Sequence, residues 1–328
     1  MPANLPPEYL EAEQRYRQAK TSQEKLNALK EMMALVPKHK GTEKLRVELK
    51  RRWTKLNQEI QKRPKAATHA QLLDRIEKEG AGQVVLVGPP NSGKSTLLAT
   101  VTKAQPLIAD YPFSTFKPTV GMMPFEDIQI QLIDLPPIWE HTEPWVFSLI
   151  RNADLAALVI SLSEPAPEEE MLTLLALLEK AKISLVGEAP LESVGARAPK
   201  RALLVGTKLD AQGASTNAQS LQTLYGTEFP WVCISAHRGE NLELMKLMMF
   251  ENLEIVRVYT KKPGHPADKA NPYIMPKNST VLELAKAIHH ELAQRLKYAR
   301  VWGSAEFDGQ RVERSFILKD GDVVELHE

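Results

Sequence analysis

The sequence predicts an α/β protein with a doubly wound, parallel sheet at its centre, a basic helical hairpin before it and a small α+β unit after it. Three observations carry this. Short Val/Ile/Leu runs alternate with helical stretches between residues 83 and 234, as expected of parallel strands buried on both faces. The first 61 residues repeat apolar positions at helical spacing around a Pro/Gly break. The charge also changes along the chain: residues 1–80 hold 18 Lys+Arg against 11 Asp+Glu, 81–252 hold 12 against 19, and 253–328 hold 12 against 11. These divisions define a hairpin at 1–80, a central α/β domain at 81–252 and a C-terminal domain at 253–328.

In the hairpin, Leu10, Tyr16, Ala19, Leu26, Leu29 and Met33 mark one helix over 7–35. Pro37 and Gly41 interrupt it, and Leu45, Leu49, Trp53, Leu56 and Ile60 mark a second over Thr42–Gln61, with Thr42 as its cap. The central strands are expected at Val84–Val87, Ile128–Ile133, Leu155–Leu162, Leu203–Val205 and Trp231–Ile234. Glu168, Glu169 and Glu170 suit the positive end of a helix dipole. Met245, Met248 and Met249, with Leu242, Leu244 and Leu247 among them, read as a helix packed on the sheet. Beyond residue 253, Ile255–Tyr259 reads as a strand, Val281–Leu296 as one helix, and Phe316–Leu318 and Val323–Leu326 as strands around the Asp320-Gly321 turn.

The chain has 328 residues, 43% hydrophobic and 25% charged, an ordinary globular composition. Its longest apolar runs, Leu155–Leu162 and Leu172–Leu178, fall far short of the ~20 residues that cross a bilayer, so no membrane association is expected. Met1–Tyr9 contains three prolines and an early acid, unlike a secretory leader. Cys233 is the single cysteine and has no intrachain partner, which fits a reducing compartment and a cytoplasmic location. Eleven Lys and Arg between Lys38 and Lys65 face only Glu43, Glu48 and Glu59, the pattern of a surface that meets a polyanion. Trp53 is the one aromatic there. Salt-sensitive phosphate contacts are therefore expected, with no readout of DNA sequence.

Gly88-Pro89-Pro90-Asn91-Ser92-Gly93-Lys94-Ser95 satisfies the phosphate-loop spacing G-x-x-x-x-G-K-S between a predicted strand and a predicted helix. Glycines let the backbone N–H groups face phosphate oxygens, and the helix adds its positive N-terminus. Lys94 is expected on the β and γ phosphates and Ser95 on Mg²⁺. Thr207-Lys208-Leu209-Asp210 and Ser235-Ala236 follow two later strands, where doubly wound sheets bind ligands. They resemble the fourth and fifth guanine-nucleotide motifs of GTPases. A carboxylate at Asp210 accepts from guanine N1–H and the 2-amino group, a pair that adenine lacks. Lys208 would cover the base, and the Ala236 backbone would donate to O6. Thr207 stands where Asn is commoner and alters one tethering bond.

Tyr111-Pro112-Phe113-Ser114-Thr115 and Asp134-Leu135-Pro136-Pro137 resemble the two switch segments. With the ending Val256–Thr260 and Lys297–Gly303, the chain resembles, over nearly its whole length, the developmentally regulated GTP-binding family of Obg-related GTPases, whose C-terminal module is a ubiquitin-like, β-grasp TGS domain. The resemblance implies a P-loop GTPase sheet, GTP or GDP with Mg²⁺, and a translation-related role in which hairpin and TGS domain meet the ribosome or RNA. The implied nucleotide ligands are Gly88, Asn91, Ser92, Gly93, Lys94, Ser95, Thr96, Thr207, Lys208, Asp210, Ser235 and Ala236. Metal ligands would be Ser95, Thr115 and Asp134, and catalytic groups Lys94, Thr115 and Asn91. Only 73 positions separate Asp134 from Thr207, so the inserted domain of eukaryotic members is not expected.

Two departures matter. Pro137 replaces the glycine of D-x-x-G and has no N–H for the γ-phosphate. The N–H of Ile138 is one substitute; Ile138 itself stands where many GTPases place a water-orienting Gln. Asn91 marks GTPases that use K⁺ as a built-in positive charge. The expected activity is slow, Mg²⁺-dependent and K⁺-stimulated hydrolysis; the alternative is a guanine-nucleotide scaffold with little hydrolysis, and an ATPase is a distant third. His141 reads as a surface residue, Cys233 as core filler, and His289 and His290 as poor metal ligands.

Overall fold

The computed structural model describes residues 9, 12, 14–16, 22–36, 48–52, 76–102, 107–108, 118–187 and 199–328. The chain forms two compact units, residues 1–72 and 73–328. In the first, helix α1 (Ser22–Leu35) buries Leu29 and Met32 against Tyr9, Ala12, Val36 and Leu49. Residues 48–52 are helical, and Lys50, Arg51 and Arg52 are exposed. Arg52 pairs with Glu48 at 2.5 Å. Thr42, Trp53 and most of the Lys38–Lys65 stretch lie outside the described residues.

The larger unit begins with β1 (Gln83–Val87), α2 (Lys94–Val101), β2 (Leu107–Ile108), β3 (Thr119–Phe125), β4 (Ile128–Asp134), α3 (Pro144–Asn152) and β5 (Leu155–Ser161). It continues with α4 (Pro167–Lys180), β6 (Ser184–Val186), β7 (Pro199–Thr207), α5 (Ala214–Tyr225), β8 (Trp231–Cys233) and α6 (Leu242–Asn252). These strands form one sheet in the order β2-β3-β4-β1-β5-β7-β6, with β8 also paired to β7. Strand β1 shows why both faces are covered. Val85 and Val87 point into a core closed by α3, α4 and α5, while Val84 and Leu86 point into one closed by α2 and α6.

The sheet is not wholly parallel as the apolar runs predicted. β3 runs antiparallel to β4, and β2 to β3. A two-residue turn at Glu126-Asp127, with Glu126 in the left-handed region at φ 48°, folds β4 straight back onto β3. On α6, Met245 and Met249 are fully buried, but Leu244 and Leu247 are 48% and 40% exposed. The expected core stripe is therefore narrower than the apolar run. Cys233 is half-buried, and burial pushes its thiol up to about 11, which suits an inert packing residue.

The C-terminal part adds β9 (Ile255–Thr260), β10 (Asp268–Pro276), α7 (Val281–Ile288), α8 (His290–Arg295), β11 (Tyr298–Trp302), β12 (Gln310–Val312) and β13 (Asp322–His327). Its sheet runs β10-β9-β13-β11-β12, with β13 parallel to β9 and the other pairs antiparallel, the mixed order of a β-grasp module. One face packs Val258, Val301 and Val324 against Leu284 and Leu296. The single expected helix over Val281–Leu296 is two. Thr280 opens α7 with a capping box to Glu283, whereas His289 turns extended (φ −164°, ψ 135°) and its Nδ1 accepts from the Glu291 N–H to start α8. Phe316–Leu318 is not a strand either; Ile317 makes only an isolated bridge to Thr280.

Arg257 of β9 joins the two sheets. Its guanidinium donates to Glu126, to Asp127 at 2.8 Å and to Asp320 at 2.7 and 3.1 Å. The carbon at its centre lies 5.0 Å from the Phe250 ring centroid, and Phe250 stacks on Phe125 at 5.1 Å. Tyr259 Oη donates to Asp127 at 2.5 Å. The Arg257 side chain is only 10% exposed. Burial alone would raise the Asp127 carboxyl, but hydrogen bonds from Tyr259 and Arg257 outweigh it and hold the group below its ordinary range. Arg257→Met keeps the stem and strands three carboxylates, so thermal unfolding should show a loss of about 2 kcal/mol. A group depressed in this way stabilises the fold above its unfolded value, so the wild-type advantage over the variant should shrink as pH falls through the carboxylate range.

Candidate nucleotide site

The site is built where β1 ends. Gly88 lies so close to β5 that a Cβ there would stand 2.2 Å from the Val159 carbonyl oxygen. Asn91 and Gly93 adopt φ 59° and 92°, curling the loop before α2 begins at Lys94. No side chain caps α2, so its first-turn N–H groups have no intrahelical acceptor and face a cavity of about 660 Å³. Asn91, Ser92, Gly93, Lys94, Ser95 and Thr96 line it from the loop side, and Thr119, Asp134, Pro136, Pro137 and Lys208 from the others.

Lys94 is 95% buried and donates from Nζ to the carbonyls of Gly88 (3.1 Å) and Pro89 (2.8 Å) and to Ser92 Oγ (3.3 Å). Burial lowers its ammonium to about 8, against a smaller opposing pull from Asp134. Ser95 Oγ donates to Asp134 Oδ2 at 2.5 Å. Asp134 Oδ1 is buried without a hydrogen-bond partner, and burial raises this carboxyl despite Ser95 and Lys94. An orphaned carboxylate oxygen at the end of β4, beside a serine hydroxyl in the uncapped first turn of α2, fits a hydrated Mg²⁺ held with phosphate oxygens. Among the described residues there is no cluster of three or more His, Cys, Asp and Glu side chains placed to hold a metal. Thr115 and the rest of Tyr111–Ser114 lie outside the described residues.

Thr207 keeps a tether to the loop. Its hydroxyl donates to the Ser92 carbonyl at 2.6 Å, reaching from the end of β7 under the loop. Lys208, in the left-handed region at φ 59°, extends along the cavity and contacts Ser163 Oγ at 3.3 Å. Asp210 is fully exposed and accepts from Ser235 Oγ at 2.6 Å; that bond, then its own N–H, holds the carboxyl below its ordinary range. Asp210, Ser235 and Ala236 do not line the cavity and meet it only through Lys208. This separates the cavity over the loop and Asp134 from an open shelf that carries Asp210, Ser235 and Ala236.

After β4 the chain is pinned by buried Leu135 and Ile138 on either side of Pro136 and Pro137. The Ile138 N–H donates to the Gly88 carbonyl at 3.2 Å, so it points at the loop and not into the cavity. Thr119, opposite Asp134 in the β3–β4 register, and Trp139, 54% exposed with His141 edge-on at 5.1 Å, were not anticipated as neighbours of the site. Neither belongs to a spacing motif that would mark it.

Two outcomes follow from this geometry. A bound phosphate returns Lys94 to its charged form, so calorimetry in buffers of different ionisation enthalpy should show uptake of close to one proton per GDP at about pH 9 and little at about pH 7. Affinity should accordingly decline as pH rises above about 8, the Lys94 value in the free chain. Thr207→Val removes the hydroxyl at constant shape and orphans the Ser92 carbonyl; GDP titration should show binding about 5- to 10-fold weaker.

Comparison with known proteins agrees with this architecture. The 50S ribosome-binding GTPase family matches residues 83–188, and the TGS domain matches residues 256–328. Developmentally-regulated G-protein 1 of Arabidopsis thaliana is 26% identical over 365 residues, covering 92% of this chain and 90% of its own. Ribosome-interacting GTPase 1 of Saccharomyces cerevisiae is 25% identical over 369 residues, covering 93% and 99%. A GTP-binding protein from Pyrococcus horikoshii OT3 shares the fold with a TM-score of 0.51 at 15% identity, over 75% of this chain and 99% of that one. The chain is a GTP-binding protein of the family that joins a GTPase domain to a C-terminal TGS domain and includes the developmentally regulated GTP-binding proteins.

Proposed function

We propose that this chain is a slow, Mg²⁺-dependent GTPase of the cytoplasm that associates with the ribosome, organised as a basic hairpin (1–80), a GTPase domain (81–252) and a TGS domain (253–328). The observation that carries the reading is the pairing of buried Lys94 with the Ser95–Asp134 contact and its orphaned oxygen. Lys94 and the N–H groups of Gly93, Ser95 and Thr96 bind the phosphates, with Gly88 and Ser92 shaping the loop. Ser95, Asp134 and Thr115 would hold Mg²⁺, which would supply positive charge against the leaving diphosphate. Asp210 and Ala236 select guanine, Lys208 covers the base, and Ser235 orients Asp210 through their 2.6 Å bond. Asn91, in the left-handed conformation at the loop tip, would offer its side-chain oxygen to K⁺, whose charge would stand in for that of an arginine supplied in trans.

Exposed Lys50, Arg51 and Arg52 support a polyanion contact by the hairpin, and the printed name of the yeast relative supports the ribosome as its source. One observation favours the second reading, a guanine-nucleotide scaffold. Pro137 has no N–H, and that of Ile138 is already bonded to Gly88. Losing a hydrogen bond to a charged oxygen costs roughly 1.5–3 kcal/mol, enough to erase a preference for triphosphate.

The decisive experiment is titration of GDP and a non-hydrolysable GTP analogue with Mg²⁺, alongside turnover in KCl and NaCl at equal ionic strength. A working switch gives tighter analogue binding and turnover at least several-fold faster in K⁺. Equal affinities with background turnover in both salts establish the scaffold. Equal turnover in the two salts above background leaves a GTPase in which Asn91 only shapes the loop.

A further inference from the structure

A second groove, of about 510 Å³, lies beside the phosphate loop and shares no lining residue with the nucleotide cavity. Pro89, Pro90, Ile138 and Trp139 line it from the loop and from the segment after β4, and Leu174 and Leu177 from α4. On α4, Glu170, Thr173, Leu174 and Leu177 face it at helical spacing, and Ala166 before the helix extends this stripe to about 16 Å. Trp139 stands in a closed turn: its N–H donates to Thr142 Oγ1 at 2.8 Å, and its carbonyl accepts from the Thr142 N–H at 3.1 Å. His141 meets the ring edge-on, yet Trp139 remains 54% exposed. Glu140, Glu164, Glu169 and Glu170 line the same groove, and among the described residues no lysine or arginine lines it; Lys208 only approaches Glu164, at 3.9 Å. Glu170 Oε2 is buried without a hydrogen-bond partner, and burial, then repulsion from Glu164, raises its carboxyl.

We propose that this groove docks a basic amphipathic helix of a partner protein, whose apolar side chains fill the space between Trp139 and α4 while its arginines stack on Trp139 and pair with the glutamates. A stripe of three turns suits a helix laid along α4. An exposed tryptophan on a rigid turn makes a good anchor, because a fixed ring loses little freedom on binding and buries a large area. The four carboxylates, against one distant ammonium, choose the partner: they repel RNA phosphates and acidic proteins and gain most from guanidinium groups, which also suit the face of an indole. The dock is preformed. Pro137 has no N–H to follow a γ-phosphate, and the Ile138 N–H is bonded to Gly88, so the wall from Ile138 to Thr142 is fixed by the protein's own bonds. Neither the groove nor its partner depends on GTP hydrolysis.

The test is fluorescence anisotropy of a labelled, helix-forming peptide of about 16 residues, with leucines on one face and arginines on the other, titrated with the full chain loaded with Mg²⁺ and GDP. It should bind at least about 10-fold more tightly than a peptide of the same composition with its leucines dispersed round the helix, and than one with glutamate in place of arginine. Trp139→Ala should weaken binding about 10-fold. Glu140→Lys with Glu169→Lys, both at exposed positions, should weaken it by about as much, reduce its salt dependence and let the glutamate peptide bind. Affinities for the chain loaded with GDP and with a non-hydrolysable GTP analogue should agree within about 3-fold, as a preformed groove requires. GDP affinity and thermal unfolding report that each variant is folded. Equal binding of the ordered and dispersed peptides, no binding of either, wild-type affinity in either variant, or a larger preference for one nucleotide state overturns the inference. Sedimentation of the chain alone separates the remaining occupant. A salt-sensitive dimer that Glu140→Lys with Glu169→Lys abolishes assigns the groove to the basic hairpin of a second copy and overturns the separate partner; a monomer supports it.

Discussion

The carbonyl of Gly88 is the point on which the rest of the site hangs. It accepts from Lys94 Nζ and from the Ile138 N–H, while its α-carbon sits against the Val159 carbonyl too closely for any side chain. Four pieces of chain meet there: the end of β1, the first turn of α2, the segment after β4, and β5. A backbone acceptor that serves two donors fixes the buried lysine without a counter-ion. This is why Lys94 is desolvated and easily discharged in the free chain. The nearby Asp134 carboxyl is likewise raised by burial, so burial works against the charge of both the lysine and the carboxylate.

The hairpin of β3 and β4 ties this chamber to the second sheet. One end sets Thr119 beside Asp134 in the cavity; the other carries Glu126 and Asp127 beneath Arg257. Seven consecutive residue pairs join the two ends, so the hairpin is a short, stiff lever and not a flexible tether. Arg257 adds Asp320 from the far side, and the Phe125–Phe250 stack excludes water beneath the guanidinium. The β-grasp module is thereby held by charge-assisted bonds that are stronger than ordinary surface pairs.

Much of this was legible in the residues because its physics is local. A G-x-x-x-x-G-K-S turn between strand and helix needs particular residues within eight positions, and the structure gathers Asn91 through Thr96 round one cavity. The apolar runs located the parallel strands because burial on both faces leaves them no polar positions. β3 escaped notice because Gly121, Met122, Met123 and Pro124 give no alternation and little β-propensity; pairing with β4 supplies what composition does not. The break at His289 escaped because an apolar helical repeat continues through it, and no residue type there marks the extended conformation that His289 adopts between α7 and α8.

The sequence by itself determined the chemistry of the phosphate loop, the fourth and fifth motif residues and the absence of an N–H at Pro137, since each depends on residue type and short spacing. Tertiary structure alone decided what those groups touch. It joined Thr207 to the Ser92 carbonyl across 115 positions, sent the Ile138 N–H to Gly88, and closed Arg257 on carboxylates more than 60 positions away on either side. It also lined up Arg311, Tyr298, His327 and Trp302 from three strands with Lys261, the residue after β9. Hydrogen bonds and ring contacts act over a few ångströms of space, and residue order sets such distances only within a turn or two of chain; beyond that, the pairing of strands sets them.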